Sequence, residues 1–159
     1  MRLPLAATLA ILSGLLCGCG SEPPPQQQVR ELLERATESA GDRDLDQLRE
    51  FVSKDYEDSE GRDRRAVMQM VALYLRQTET LFVRTRIRSI EIVGSGAAEA
   101  TVVAAIADVP INDLNLQRLS ADFLRFELSL RLEAKEWRVV RAGWESVPLT
   151  EYLKPGPLP

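Results

Sequence analysis

The sequence contains no histidine and only two cysteines. Histidine is the side chain that most often acts as a general base near neutral pH, and it is the commonest ligand of transition metals. Both cysteines, Cys17 and Cys19, lie close to the N-terminus. The chain also lacks a glycine-rich phosphate loop and a serine in a nucleophile elbow. We therefore expect no metal and no cofactor, and any catalysis would depend on carboxylate and tyrosine side chains.

Positive charge and long apolar runs are also scarce. The chain has 20 Lys and Arg against 24 Asp and Glu, which gives a net charge of −4. Nucleic-acid binding usually needs a basic face, so we expect no nucleic-acid partner. The apolar run of residues 5–16 is shorter than the roughly 20 residues that a membrane-spanning helix needs. The run predicts a signal segment, with an ordinary buried or membrane helix as the alternative.

The N-terminal segment has the parts of a secretory signal peptide. Arg2 supplies positive charge, the apolar run follows, and small residues flank the cysteines. The stretch Leu16-Cys17-Gly18-Cys19 resembles a bacterial lipobox, where a precursor is cut just before a cysteine that receives lipid. Cys19 follows a small residue and has Leu16 three positions back, so Cys19 is the predicted lipidation site. Ordinary secretory cleavage nearby is the alternative.

Lipidation at this site divides the chain into four predicted parts. Residues 1–18 form the signal peptide, residues 19–28 a tether rich in proline and glutamine, residues 29–153 a domain, and residues 154–159 a tail. The prolines of the tether favour an extended polyproline-II form. Gly20 follows the anchor, and no aspartate there resembles a signal for retention in the inner membrane. We expect a cell-envelope protein held by lipid at the periplasmic face of the outer membrane.

Apolar residues at helical spacing predict three helices in the first half of the domain. The first helix ends at Gly41, and the second begins at the capping residue Asp44. The highly charged stretch of residues 55–65 is a predicted loop. The third helix begins near Asp63, and its long apolar face continues to Phe82. Its length indicates that it packs across a sheet.

The second half of the domain changes to a period of two. Predicted strands cover residues 83–93, 98–108 and 137–147, and the clearest alternation lies at residues 124–132. Such alternation means that one face of the strand is buried and the other is wet. Helices followed by antiparallel strands predict an α+β domain, with the helices packed on one face of a curved sheet.

Several phrases, taken in order, resemble the nuclear transport factor 2-like superfamily, which includes ketosteroid isomerases and polyketide cyclases. They are Val29-Arg30-Glu31-Leu32-Leu33, Arg43-Asp44-Leu45-Asp46-Gln47-Leu48, the loop from Asp58 to Asp63, and Glu136-Trp137-Arg138-Val139-Val140. The resemblance implies a cystatin-like α+β fold. In that fold a cone-shaped, curved antiparallel sheet packs on about three N-terminal helices and leaves a pocket at its open end.

The resemblance also suggests candidate site residues. Related isomerases use aspartate and tyrosine inside the cone, where an apolar wall raises the pKa of a carboxyl group. The candidates here are Asp58 and Tyr56 near the cone mouth, and Asp108 at the end of a central strand. A solvated loop, a helix cap or a turn is the alternative for the aspartates. Tyr74 on the third helix is a pocket candidate, and core packing is the alternative.

The last residues considered for the site are two tryptophans. Trp137 and Trp144 are seven residues apart, which predicts opposite faces of one strand. Trp144 is therefore a second pocket candidate, with sheet packing as the alternative.

Arginines recur on the predicted first strand. Arg84, Arg86 and Arg88 share one face, and with Arg125 and Arg131 they could form a basic stripe on the sheet exterior. One interpretation is a solvated face with cross-strand ion pairs. The other is a docking face for a partner or for a second copy, because this superfamily often forms homodimers through the sheet.

Three functions remain open at this level. The first is a non-catalytic binding or accessory lipoprotein of the envelope, which holds a small hydrophobic ligand or docks an envelope protein. The second is an isomerase, cyclase or hydrolase that uses Asp58 or Asp108 with a tyrosine. The third is a structural subunit of an envelope complex. The lack of histidine and of a cysteine beyond the anchor favours the first.

Overall fold

A computed structural model describes residues 22–112, 118 and 120–156 of the chain. The predicted signal peptide and the predicted lipidation site, Cys19, lie outside the described residues. The elements are α1 (Pro25–Gly41), α2 (Leu45–Phe51), α3 (Arg64–Gln77), β1 (Phe82–Val93), β2 (Ala97–Ala107), β3 (Ala121–Glu133), β4 (Glu136–Ser146) and α4 (Leu149–Leu153). Over these ranges, every helix is too short or too polar to cross a membrane.

The four strands form one antiparallel sheet in chain order, from β1 to β4. Three helices precede the sheet, so the predicted α+β class with a curved antiparallel sheet is confirmed. The turn between β1 and β2 contains Gly94, whose φ of +66° lies in the left-handed region that glycine adopts without strain. Asp44 and Asp63 begin α2 and α3 as predicted, and each side chain accepts a hydrogen bond from a backbone N–H in the first turn.

The main core lies between the inner face of the sheet and the first three helices. On β3, Phe126, Leu128 and Leu130 point into this core, as the alternating pattern predicted. Val29 and Leu32 of α1 pack against them and are nearly inaccessible to solvent. Burial of each large apolar side chain stabilises the fold by about 1.5–3 kcal/mol. This core fixes α1 and α2 against the sheet.

A β-bulge on β4 changes which side chains reach the core. Val140 on β4 has no partner on β3, because Ser129 pairs with Arg141 and Leu130 pairs with Val139. The extra residue shifts the alternation by one, so Trp137 and Trp144 both pack at the inner core. The prediction that they lie on opposite faces was therefore wrong.

A smaller core covers the outer face of the sheet. Tyr152 of α4 is fully buried against Val103 and Ala105 of β2. Its ring centroid lies 5.6 Å from that of Phe123 on β3. The short C-terminal helix therefore covers the sheet on the side opposite α1.

Two helix boundaries differ from the prediction. Helix α1 begins at Pro25, so the last residues of the predicted tether form its first turn, where proline is favoured. Gln28 accepts a hydrogen bond from the Trp137 indole at 3.1 Å, which docks this turn on the sheet. Helix α3 ends at Gln77 rather than near Phe82, because Thr78 is extended and Phe82 begins β1.

Candidate functional site

The structure brings three predicted site residues together around one arginine. Arg62 Nε lies 2.6 Å from Asp58 Oδ2, and the Arg62 guanidinium lies 4.8 Å from the centroid of the Trp144 ring. Tyr56 is close enough for the charges of Asp58 and Arg62 to act on its hydroxyl. We call these four residues the Arg62 cluster. Sequence reasoning found Tyr56, Asp58 and Trp144 but missed Arg62, which connects them.

The turn before Arg62 explains how the cluster forms. Asp58 Oδ1 accepts hydrogen bonds from the backbone N–H groups of Glu60 and Arg62, at 2.9 and 3.0 Å. The N–H of Gly61 donates to the Asp58 carbonyl, and its φ of +73° suits glycine. Asp58 thus closes the turn with its own side chain, as aspartate commonly does. The closed turn places the Arg62 side chain against β4.

Asp58 is buried, with 3% of its surface exposed, yet it remains a charged group. Burial alone would raise its pKa, but the Arg62 guanidinium and the backbone N–H groups of Arg62 and Glu60 together hold the pKa below its ordinary value. The resemblance implied a raised pKa at this position, and the structure shows the opposite. Asp58 is a turn residue, but it is enclosed rather than solvated.

Tyr56 contributes a buried hydroxyl. Only 3% of the residue is exposed, and within the described part of the chain the hydroxyl has no hydrogen-bond partner. Burial raises the pKa of the phenol, and the negative charge of Asp58 raises it further. The neighbouring Ala142 backbone and Arg62 oppose this rise without reversing it. Tyr56 therefore stays protonated and can donate a hydrogen bond but cannot serve as a base.

The other two candidates lie elsewhere. Asp108 is exposed just after β2, and its backbone carbonyl accepts a hydrogen bond from Thr80 Oγ1 at 2.6 Å. Tyr74 on α3 is 37% exposed, and partial burial and the Asp122 carboxylate raise the pKa of its hydroxyl. No interaction between described residues joins either one to the Arg62 cluster. The cluster therefore contains a single predicted carboxylate, Asp58.

The fold is shared with solved bacterial structures, although no family model matches the sequence and no curated protein is significantly similar to it. Bd1075 from Bdellovibrio bacteriovorus has a TM-score of 0.61 and 10% identity, over 77% of this chain and 40% of that chain. The chain thus spans less than half of that protein. A nuclear transport factor 2-like protein from Pseudomonas putida has a TM-score of 0.59 and 17% identity, over 81% and 91%. A ketosteroid isomerase-like protein from Erwinia carotovora has a TM-score of 0.58 and 9% identity, over 77% and 96%.

The domain has a nuclear transport factor 2-like fold. At these identities the likeness concerns the fold alone, and the function of the domain must be argued from its own residues.

The arginines on the outer face of this nuclear transport factor 2-like domain hold its own C-terminal helix. Arg88 Nη2 donates to the carbonyls of Glu151 and Tyr152 at 2.7 and 2.8 Å, and its Nη1 donates to the carbonyl of Lys154. The Arg86 guanidinium lies 4.8 Å from the centroid of the Tyr152 ring. This part of the predicted stripe is therefore neither a solvated face nor a free docking face.

Two further arginines of the predicted stripe make ion pairs. Arg125 pairs with Glu145 on the neighbouring strand. Arg131 pairs with Asp55 at 2.9 Å and with Glu133 at 2.6 Å. These are the cross-strand and surface pairs that the first interpretation described.

Two clefts flank α2 of the domain. The cleft between α1, α2 and the β3–β4 turn has a volume of about 430 Å³ and includes Glu22, Glu50 and Trp137. The groove between α2 and α3 has a volume of about 560 Å³, and we call it the basic groove. Its lining is Arg49, Lys54, Asp63, Arg64, Arg65, Met68, Gln69 and Ala72. Within the described ranges, no three Asp or Glu side chains lie close enough to hold a metal ion.

Proposed function

We propose that this protein is a lipoprotein of the bacterial cell envelope whose domain binds or docks without catalysing a reaction. In this proposal Cys19 carries the lipid and holds the domain at the periplasmic face of the outer membrane. The state of Asp58 is the observation that most supports a non-catalytic domain. It is the one candidate carboxylate in the Arg62 cluster, and its charge is already matched by Arg62.

A general acid or base must exchange a proton near the working pH. Asp58 accepts hydrogen bonds from one side chain and two backbone groups, which hold its pKa below the ordinary range. Tyr56 has a raised pKa and stays protonated, so it cannot serve as the base. An isomerase of the kind that the resemblance suggested needs a carboxylate whose proton affinity is raised. The Arg62 cluster supports binding better than proton transfer.

Packing inside the cone favours the same proposal. Phe126, Leu128 and Trp144 already pack against the main core from the inner face of the sheet. Side chains thus occupy space that a small substrate would need. A role as an accessory or docking domain for an envelope protein fits this packing better than turnover of a substrate.

The anchor is tested by changing each cysteine in turn. Cys19→Ala should abolish labelling with a lipid precursor in a lipoprotein-processing bacterium and should release the protein from membranes. Several acyl chains anchor a protein stably, so partial release is not expected from the lipidated form. Cys17→Ala is the matched control, and it should keep both labelling and membrane association. If Cys17→Ala abolished labelling and Cys19→Ala did not, the assignment of Cys19 as the lipidation site would be wrong.

A further inference from the structure

The basic groove concentrates positive charge in a chain that is negative overall. Four of its eight lining residues are cations, and Asp63 is its one carboxylate. The whole chain, by contrast, has a net charge of −4. A concave surface lined by one sign of charge attracts ligands of the opposite sign.

The cations of the groove have little compensation from the protein. Lys54 and Arg65 are exposed and have no ion-pair partner among the described residues. Arg49 pairs with Asp46 at 2.9 Å, but both side chains are exposed, so the pair contributes little. Asp63 uses one carboxylate oxygen to accept the Ala66 N–H at 2.8 Å.

Two of the cations occupy positions that helix electrostatics disfavours. Arg64 and Arg65 lie in the first turn of α3, where the helix dipole repels positive charge, and this turn has no acidic residue. Arg64 Nη2 donates to the Arg49 carbonyl at 2.6 Å, while the buried Arg64 Nε has no partner in the described part of the chain. Departures from local rules of this kind concentrate at functional sites.

The groove lies beside the point where the chain enters the domain. Arg49 lines the groove, and its neighbour Glu50 lines the opposite cleft together with Glu22 and Pro23. Within the part of the chain that the structure describes, helix α2 therefore lies between the groove and the cleft that Glu22 and Pro23 line, and a helix is about 10 Å wide. At about 3.1 Å per residue, the steps from Cys19 to Pro25 can span at most about 20 Å. A short anchor of this kind would keep the groove near the bilayer surface.

We propose that the basic groove binds the phosphate headgroups of anionic phospholipids at the membrane surface. The cations would face the lipid phosphates, while Met68 and Ala72 offer an apolar wall to the glycerol and the first acyl carbons. This inference rests on the proposed lipid anchor for its geometry, and it adds a second, electrostatic attachment to the same membrane.

The test uses an unlipidated protein that begins at Glu22. All buried apolar residues of the described core lie between Val29 and Tyr152, so this form keeps its core. Sedimentation with vesicles compares phosphatidylcholine alone with phosphatidylcholine containing about one quarter phosphatidylglycerol. We expect binding to the anionic vesicles only, and the binding should weaken as salt is added.

A charge-matched pair of variants makes the test specific to the groove. The double variant Lys54→Gln, Arg65→Gln should weaken vesicle binding about 25-fold, because each cation near an anionic surface contributes about a factor of five. Both side chains are exposed, so the fold should persist. The control Arg76→Gln, Arg141→Gln removes the same charge elsewhere and should bind like the unchanged protein.

Three results would overturn the proposal. They are failure of the unchanged protein to bind anionic vesicles, equal weakening in the control variant, and displacement from vesicles by millimolar inorganic phosphate but not by a chloride salt of the same ionic strength. The last result would assign the groove to free phosphate instead of lipid. The protein that begins at Glu22 lacks Cys19. A failure of vesicle binding can therefore be distinguished from a failure of lipid labelling.

Discussion

At the scale of single residues, Asp58 illustrates how neighbours determine what a carboxylate can do. Apolar surroundings raise the pKa of an aspartate, so that its carboxyl group can hold and transfer a proton near neutral pH. Here Arg62 and two backbone N–H groups surround the same side chain and keep it ionised. In this protein the carboxylate therefore supports a turn instead of carrying a proton.

Stability should depend on the ionised state of Asp58. Its pKa in the folded protein lies below the ordinary value of 3.8, so the ionised form adds stability above that value. This stability is lost as the pH falls through the folded pKa. We predict that Asp58→Asn lowers the free energy of unfolding at pH 7, and that the difference from the unchanged protein narrows below about pH 4. Urea unfolding of both proteins at several pH values measures this difference in the free energy of unfolding.

Asp63→Asn is the matched control for this prediction. Asp63 is an exposed N-cap, and asparagine caps a helix about as well as aspartate does. Its free energy of unfolding should change by less than about 0.5 kcal/mol. Equal losses in the two variants would contradict a specific role for the Asp58–Arg62 pair.

The position of Arg62, which the sequence analysis missed, could have been predicted from a local turn pattern. Asp58-Ser59-Glu60-Gly61 has aspartate in the first position and glycine in the fourth, which is typical of a type I turn. Such a turn brings the next residue, Arg62, back to the aspartate. The contact of Arg62 with Trp144 had no such signal, because it joins residues far apart in sequence.

At the scale of elements, α4 depends on one arginine. Arg88 donates to three carbonyls at the end of this five-residue helix, which is too short to be stable alone. We predict that Arg88→Ala lowers the free energy of unfolding by about 2 kcal/mol, because hydrogen bonds from a charged donor are lost. Amide hydrogen exchange at residues 151–154 should also become faster, as mass spectrometry or NMR would show.

Lys154→Ala provides the comparison for Arg88→Ala. Within the described residues, the Lys154 side chain makes a single ion pair, with Glu151, and it is itself largely exposed, so its loss should cost no more than about 0.5 kcal/mol. Unchanged exchange at α4 in Arg88→Ala would mean that apolar packing of Tyr152 alone holds the helix.

Elements were predictable where one local pattern dominated. The caps of α2 and α3 and the alternation of β3 follow directly from residue types. The start of α1 was missed because prolines that precede a helix also suit an extended tether. The bulge at Val140 was missed because bulged and regular strands share the same β-branched composition.

At the scale of the whole molecule, α4 covers part of the outer face of the sheet and so limits the surface that a second copy could contact. A homodimer through the outer face, as the resemblance implied, would have to form over or beside this helix. We predict that the unlipidated protein that begins at Glu22 is monomeric, as light scattering after size exclusion would show. Deletion of residues 149–156 should expose Val103, Ala105 and Phe123, and self-association should follow. A dimer of the intact domain would contradict this prediction.

The overall architecture was accessible from the order of elements, since three helices followed by antiparallel strands allow few arrangements. The basic groove was not predictable from the sequence, because folding brings its charges together. The basic groove combines residues from α2, from the next loop and from α3, and no local pattern links them.

The bulge at Val140 lets β4 lose one residue without changing its interior. Val140 is the residue of β4 that has no partner on β3, so its deletion would restore regular pairing and leave every later side chain opposite its present partner. Trp137 and Trp144 would then be six residues apart, and the alternation of a regular strand would keep both on the inner face. In a comparison of homologous genes, a one-residue gap at this position would therefore mark the loss of a bulge and not a change of interior.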